Sequence, residues 1–258
     1  MREYQVIRQA EGRGARDPGY YRALPYQDLS GRFQRNWRIR AVSYRTLLAR
    51  VLPVSQGKRR HSSRILDLGA GNGWLSYRLS KQGHQVVAVD LLTNAEDGLG
   101  SHVYYDAPFT PVQAEFEHVP FQSKQFDLCI FNASFHYSTC YEATLREALR
   151  LLVPGGKVVI MDTPVYNDGS SGERMVRERE LYFEKTYGFP SNSLPSRNYL
   201  TYDGLKELET GLALKWSRIQ PFYGWRWTLK PWKAWLLRRR EPAQFLLVVG
   251  SASHESAK

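Results

Sequence analysis

The chain has 258 residues, of which 42% are hydrophobic and 24% charged. That length suits one α/β domain with additions, and that composition excludes extensive disorder. The balance of 36 basic against 25 acidic residues, a formal charge of +11, admits nucleic-acid binding, an anionic substrate or membrane surface, or plain solubility.

Cys129 and Cys140 are the two cysteines, and neither sits in a C-x-x-C pair. Neither a disulfide framework nor a zinc site is indicated, and no metal is expected. Met1 is followed by Arg2, Glu3, Tyr4 and Gln5, too polar for a signal peptide. No apolar run approaches the ~18 residues of a membrane span. A reduced, cytoplasmic setting is expected, with membrane association at the inner surface left open.

In chain order, residues 1–30 read as irregular, because Glu11-Gly12-Arg13-Gly14 and Asp17-Pro18-Gly19 are breaker clusters. A helix is predicted from Arg32 to Leu52, its apolar stripe supplied by Trp37, Val42, Tyr44, Leu47, Leu48 and Val51, with Pro53 as its stop. Lys58-Arg59-Arg60-His61 reads as a basic loop. Arg64 to Leu68 is a short buried strand running into Gly69-Ala70-Gly71-Asn72-Gly73, and a helix follows that ends near Gly83. Further strands are predicted over Gln85–Val89, Val112–Phe116, Phe126–Phe131 and Lys157–Met161, with a helix from Tyr141 to Leu152. The segment from Leu91 to Phe109 is poorly periodic. Asp203 to Leu212 reads as one more helix, and Leu214–Ile219 and Phe245–Gly250 as strands. Strands alternating with helices argue for a parallel sheet covered on both faces.

The glycine loop carries the most information. Glycines let the backbone turn sharply and let a ligand approach closely, and strand ends at a sheet's switch point are where open α/β folds bind ligands. A dinucleotide fingerprint, G-x-G-x-x-G, fits imperfectly: Gly69 and Gly71 match, but Trp74 takes the third small position and Gly73 falls one place early. An anionic Asp67 just before the loop suits a cationic group better than a phosphate. S-adenosylmethionine (SAM) carries an amino group and a sulfonium and no phosphate. A tight turn without a ligand is the plain alternative.

Ile-Leu-Asp-Leu-Gly-Ala-Gly-Asn-Gly-Trp-Leu, residues 65–75, resembles the first motif of the class I SAM-dependent methyltransferases, closest to the broad subgroup of ubiquinone/menaquinone-biosynthesis-like enzymes. The resemblance covers residues 60–163, with a weaker tail to 251. It implies a doubly wound, mostly parallel, seven-stranded Rossmann-like sheet with helices on both faces. An N-terminal helical extension, residues 1–57, would carry a lid helix, and residues 58–258 would form the methyltransferase domain. It also implies SAM as cofactor and S-adenosylhomocysteine as product, held by Asp67, Gly69, Ala70, Gly71 and Gly73. Asp90 and Leu91 follow strand two, where an acid accepts hydrogen bonds from the ribose hydroxyls. Glu115-Phe116-Glu117-His118-Val119-Pro120-Phe121 resembles the family's acid-x-x-x-Leu-Pro-Phe run. Glu115 would face the adenine amino group and the Phe116 amide the ring, with Glu117 the alternative contact. The Ser123–Ile130 and Leu151–Ile160 segments resemble the runs into strands four and five.

Methyl transfer is an in-line displacement, so positioning does most of the work, and a base is needed only for a nucleophile that must lose a proton. Asn132-Ala133-Ser134-Phe135-His136-Tyr137 ends strand four, where the loop borders the methyl group in the family. Asn132 is a cofactor contact on this reading, His136 the candidate base, and Tyr137 a candidate substrate contact. Tyr20, Tyr21 and Trp37 are candidates for lid or substrate contacts. Arg40 suits the SAM carboxylate, since guanidinium and carboxylate pair through two parallel bonds. The same residues also fit a polar loop and a basic helix face.

Residues 164–200 and 221–240 lie outside the cofactor core and are candidate acceptor-pocket insertions. The second holds four of the seven tryptophans among basic residues, which suits either a peripheral membrane contact or a lid over a lipid-like acceptor. The tryptophans packing on the sheet edge is the plain alternative. Methyl transfer to an O, N or C nucleophile of a small-molecule or lipid-like acceptor is expected, with the oligomeric state open. An RNA or other nucleic-acid acceptor is the alternative enzyme, although the loop after strand four lacks the prolines of the base-methylating motif. A catalytically inactive SAM-binding regulatory protein is the alternative outside catalysis.

Overall fold

The computed structural model describes residues 2–52, 62–191 and 195–252. The basic loop read over 58–61, Pro53 and the boundary at 57/58 lie outside them. The elements in chain order are α1 (Arg2–Ala10), α2 (Pro18–Ala23), α3 (Gln34–Arg50), β1 (Arg64–Leu68), α4 (Trp74–Lys81), β2 (Gln85–Asp90), β3 (Thr110–Gln113), β4 (Phe126–Asn132), α5 (Tyr141–Leu151), β5 (Leu152–Met161), β6 (Pro164–Tyr166), α6 (Gly169–Tyr187), β7 (Leu200–Thr201), α7 (Tyr202–Gly211), β8 (Leu214–Ile219), α8 (Trp225–Thr228), α9 (Lys230–Leu236), β9 (Gln244–Phe245) and β10 (Leu247–Ala252). Short stretches of 3₁₀ helix cover Leu99–Tyr104 and Phe135–Tyr137.

Seven strands form the main sheet in the order β3-β2-β1-β4-β5-β10-β8. The first five are parallel, and β10 runs antiparallel to both β5 and β8. The strand order reverses between β1 and β4, which makes their carboxyl ends the switch point of a doubly wound sheet. A strand presents alternate residues to opposite faces. Leu66, Leu68, Cys129, Phe131 and Ile160 therefore pack under α5 and α7, through Leu145, Ala148 and Leu205. Ile65, Ile130, Val159 and Met161 face the other way, onto Trp37, Tyr44 and Leu47 of α3 and Leu75 and Leu79 of α4. No helix among the described residues is long and apolar enough to cross a membrane.

Four expectations are corrected. Residues 1–30 are not irregular: the glycine cluster separates α1 from α2, and Asp17 caps α2 by accepting the Gly19 N–H at 2.9 Å. The third strand lies at Thr110–Gln113, earlier than 112–116. Strand five starts at Leu152, which pairs with Phe126; the Pro154-Gly155-Gly156 segment bulges before Lys157 pairs with Leu128. Phe245 belongs to β9, in a small sheet of order β7-β6-β9, and β10 begins at Leu247. Residues 164–200 also hold the 19-residue α6. Its buried face includes Ser171 and Gly172, and a Cβ on Gly172 would lie 2.4 Å from the Tyr199 ring. Small polar residues thus form a contact that normally announces itself by large apolar ones.

Candidate active site

A cavity of about 450 Å³ opens at the carboxyl ends of β1, β2, β4 and β5, within the roughly 300–1,000 Å³ of small-molecule sites. Its floor is the loop after β1. Gly69, Ala70, Gly71 and Asn72 line it. The Gly69 and Ala70 amides donate to the Val89 carbonyl at 2.8 and 3.0 Å, tying the loop to β2. Asp90 and Leu91 line it too. Asp90 accepts the Gly71 N–H at 2.8 Å and the Leu92 N–H at 2.7 Å. Burial pushes the Asp90 carboxyl upward, and those two amides hold it back.

Glu115, Phe116 and Glu117 form another part of the wall. One Glu117 oxygen is held by the Thr144 hydroxyl at 2.9 Å, while Glu115 is the more exposed of the two acids. Asn132 ends β4 at the cavity, with its Oδ1 buried and unpartnered within the protein.

Beyond the floor, His136 and Tyr137 stand side by side with ring centroids 4.3 Å apart. His136 Nδ1 lies 3.4 Å from the Thr163 hydroxyl. Burial first, then the charges of Arg179 and Arg40, pushes the imidazole down to about 3, so it is neutral at physiological pH. Arg40 and Trp37 of α3 complete this end, the guanidinium lying 4.7 Å over the Trp37 ring. Burial pulls the Arg40 pKa below its ordinary value, and the charge of Asp162 opposes that. Tyr20 lines the cavity, and burial pushes its hydroxyl up to about 12.

Three of the sequence-selected residues are not brought to the cavity. Asp67 lies beneath the loop, fully buried, its Oδ2 accepting the Ser76 hydroxyl of α4 at 2.7 Å. Gly73 begins α4 in the left-handed conformation, with Phe109 packed against it. Tyr21 is fully buried, stacked on Tyr104 at 5.0 Å, and its hydroxyl accepts the Ala15 N–H at 3.0 Å.

Asp162 is the most consequential residue that sequence reasoning missed. It follows β5 as Asp90 ends β2, lines the cavity and is 7% exposed. Ser43 of α3 donates to its Oδ1 and also lies 2.9 Å from the Tyr223 hydroxyl. Its Oδ2 is buried without a protein partner. Burial raises the carboxyl, offset by Ser43 and Arg40. An acid just past a predicted strand was the available signal. Arg8, Arg13 and Asp97 also line the cavity, with Arg8 and Asp97 ion-paired. Arg8 and Arg13 were out of reach once residues 1–30 read as irregular.

Residues 66–160 match a protein-family model described as "Methyltransferase domain". That match covers a little over a third of the chain, and over those residues the chain is similar to methyltransferase domains. Malonyl-[acyl-carrier protein] O-methyltransferase of Erwinia pyrifoliae is 33% identical over 100 residues, 37% of this chain and 36% of that one. Ubiquinone/menaquinone biosynthesis C-methyltransferase UbiE of Vibrio parahaemolyticus is 32% identical over 115 residues, 40% of this chain and 42% of that one. The chain thus spans less than half the length of these curated relatives. Among solved structures, an S-adenosylmethionine-dependent methyltransferase from Mesorhizobium loti superposes with a TM-score of 0.56 at 19% identity, covering 81% of this chain and 97% of that one. The YcgJ protein from Bacillus subtilis superposes with a TM-score of 0.53 at 14% identity, covering 79% and 97%. At those identities the likeness is one of fold.

Proposed function

We propose that the protein transfers a methyl group from SAM to a nucleophile on a small-molecule or lipid-like acceptor. One observation carries this: a single cavity joins the Asp90-buttressed glycine loop to a dry end holding His136, Asp162 and Arg40. The buried, unpartnered Oδ1 of Asn132 and Oδ2 of Asp162 fit a cofactor that brings an ammonium and a sulfonium, since buried acceptors call for donors or cations.

When bound, SAM supplies an electrophilic methyl group on a good leaving group. Asp90 and the Gly69–Asn72 backbone would hold its ribose and amino-acid portion, Glu115 and Phe116 its adenine, and Arg40 its carboxylate. Tyr20, Trp37 and Phe33 shield this end from water, and positioning within such a wall can supply ~7–11 kcal/mol of a barrier. A neutral imidazole keeps one ring nitrogen free of a proton. His136 can therefore take the proton of an O–H or N–H nucleophile as the new bond to carbon forms. Tyr20 and Tyr137 orient that acceptor. The N-terminal extension carries the lid helix, and 164–200 and 221–240 shape the acceptor side.

Calorimetric titration with SAM, S-adenosylhomocysteine and NADH tests the reading. SAM and its product are expected to bind and NADH not to. Absence of SAM binding would falsify it. Transfer of methyl label to RNA, rather than to a lipid extract, would overturn the acceptor class.

A further inference from the structure

Seven of the thirteen large hydrophobic side chains exposed among the described residues fall within 222–237. Trp225, Trp232 and Trp235 are 75%, 64% and 75% exposed, beside exposed Phe222, Leu229 and Leu236. Residues 221–240 contain six arginines and lysines and no acid. Neither α8 nor α9 buries a residue. Packing of the tryptophans on the sheet edge thus fails as the explanation for three of the four.

The inner side of this segment is nevertheless anchored. The Trp227 ring lies 5.7 Å from that of Phe245, the Tyr223 hydroxyl 2.9 Å from Ser43, and Arg240 pairs with Glu178 at 2.7 Å. Leu229, Trp232, Trp235 and Leu236 follow three- and four-residue spacing, which places them on one helical face. Exposed Arg226, Lys233, Arg238 and Arg239 flank it. A patch this apolar on an anchored element marks a contact surface. Its chemistry selects the partner: tryptophan favours the membrane–water interface, and cations unopposed by acids favour anionic head groups.

We propose that residues 222–239 dock the protein on an anionic bilayer surface. Phe245 and Asp162 line the cavity, and both are coupled to this segment through Trp227 and through Ser43–Tyr223. Docking therefore brings the acceptor end of the site beside the membrane; this last clause rests on the function proposed above.

The test is flotation with phosphatidylcholine vesicles, with and without phosphatidylglycerol, alongside SAM calorimetry on the same samples. Wild type is expected to float with the anionic vesicles at low salt, with its tryptophan emission shifted to shorter wavelength. The triple variant Trp225→Ala, Trp232→Ala, Trp235→Ala is expected to bind vesicles at least about tenfold more weakly, with SAM affinity unchanged. Should that variant fail to fold, Arg238→Glu with Arg239→Glu decides, and is expected to lose the preference for anionic lipid. Wild type that binds SAM but ignores anionic vesicles overturns the proposal, as does concentration-dependent dimerisation abolished by the tryptophan variant. Vesicle binding without SAM binding upholds docking and sinks the methyltransferase reading instead.

Discussion

Asp90 accepts the backbone N–H of Gly71 at 2.8 Å, so the carboxylate that ends β2 also sets the shape of the loop that follows β1. Its other oxygen takes the Leu92 amide at 2.7 Å. A carboxylate has about four acceptor sites, which leaves two for the hydroxyls of a ligand. Asp90→Asn replaces one oxygen with a donor that must face an N–H. Urea unfolding is expected to show a loss of about 1–3 kcal/mol. Calorimetry is expected to show SAM binding weakened at least about tenfold, by loss of a charged acceptor. Unchanged SAM affinity would remove Asp90 from the ligand's contacts.

The loop glycines should separate two kinds of damage. Gly71 has φ +56°, and a Cβ there would meet nothing closer than the Asp97 carbonyl at 4.0 Å. Gly73 has φ +74°, and its Cβ would fall 2.5 Å from Phe109 Cζ. An alanine at either pays about 1–2 kcal/mol for the left-handed backbone, but at Gly73 it must also displace a ring. Gly73→Ala is expected to lower Tm more than Gly71→Ala. Gly71→Ala, whose methyl stands beside the cavity, is expected to weaken SAM binding more. A reversed order in paired melting and titration experiments would contradict this assignment.

The site was legible where chemistry and local pattern coincide. The loop from Gly69 to Gly73 announces itself because a buried strand must precede it and a helix must follow. Asp90 and Asn132 were found because each stands just past a predicted strand, and Glu115 because it opens the acid-x-x-x-Leu-Pro-Phe-like run. Asp67 shows the limit: its type and position before the loop suggested a cation contact, but strand alternation turns it onto the α4 face, where Ser76 takes it. Neither α1, which brings Arg8 to Asp97, nor α6 shows a long apolar stripe. Their places depend on tertiary contacts with no local period.

Two buried groups should oppose each other in the pH dependence of stability. Burial raises the Asp67 carboxyl from 3.8 to about 7. The folded state then holds a proton that the unfolded state has lost, so Asp67 lowers stability as pH rises through that window. His136 does the reverse. Its pKa falls from 6.5 to about 3, so its stabilising contribution is complete above 6.5 and lost as pH falls toward 3. Each effect approaches a factor of about ten in the folding equilibrium per pH unit, and between about pH 4 and 6.5 they offset. Asp67→Asn is expected to make stability rise more steeply with pH in that range, and His136→Gln to make it fall. Thermal melts at a series of pH values would show these opposite changes in slope; slopes identical to wild type would mean that neither group titrates as its burial dictates.

His136 and Asp162 together make a kinetic prediction at the acceptor end. With its pKa near 3, His136 is already neutral at pH 5 and contributes no acid limb to kcat/KM above that. Asp162 does titrate higher than an ordinary carboxyl, because burial outweighs the help of Ser43 and Arg40. Its charge balances Arg40 and faces the cavity through an oxygen that nothing in the protein occupies. Methyl transfer is therefore expected to rise with pH as Asp162 ionises. Asp162→Asn tolerates the left-handed backbone at φ 53° and can still accept from Ser43. It should flatten that limb, measured at saturating SAM, and weaken SAM binding, because a charged acceptor facing the cofactor's cations is lost. His136→Gln should instead lower the rate by about 10²–10⁴-fold at every pH if it is the base, with the limb intact. Label transfer from methyl-labelled SAM, followed from pH 5 to 9 in the three proteins, distinguishes the roles. A limb that disappears with His136 and survives without Asp162 would exchange them.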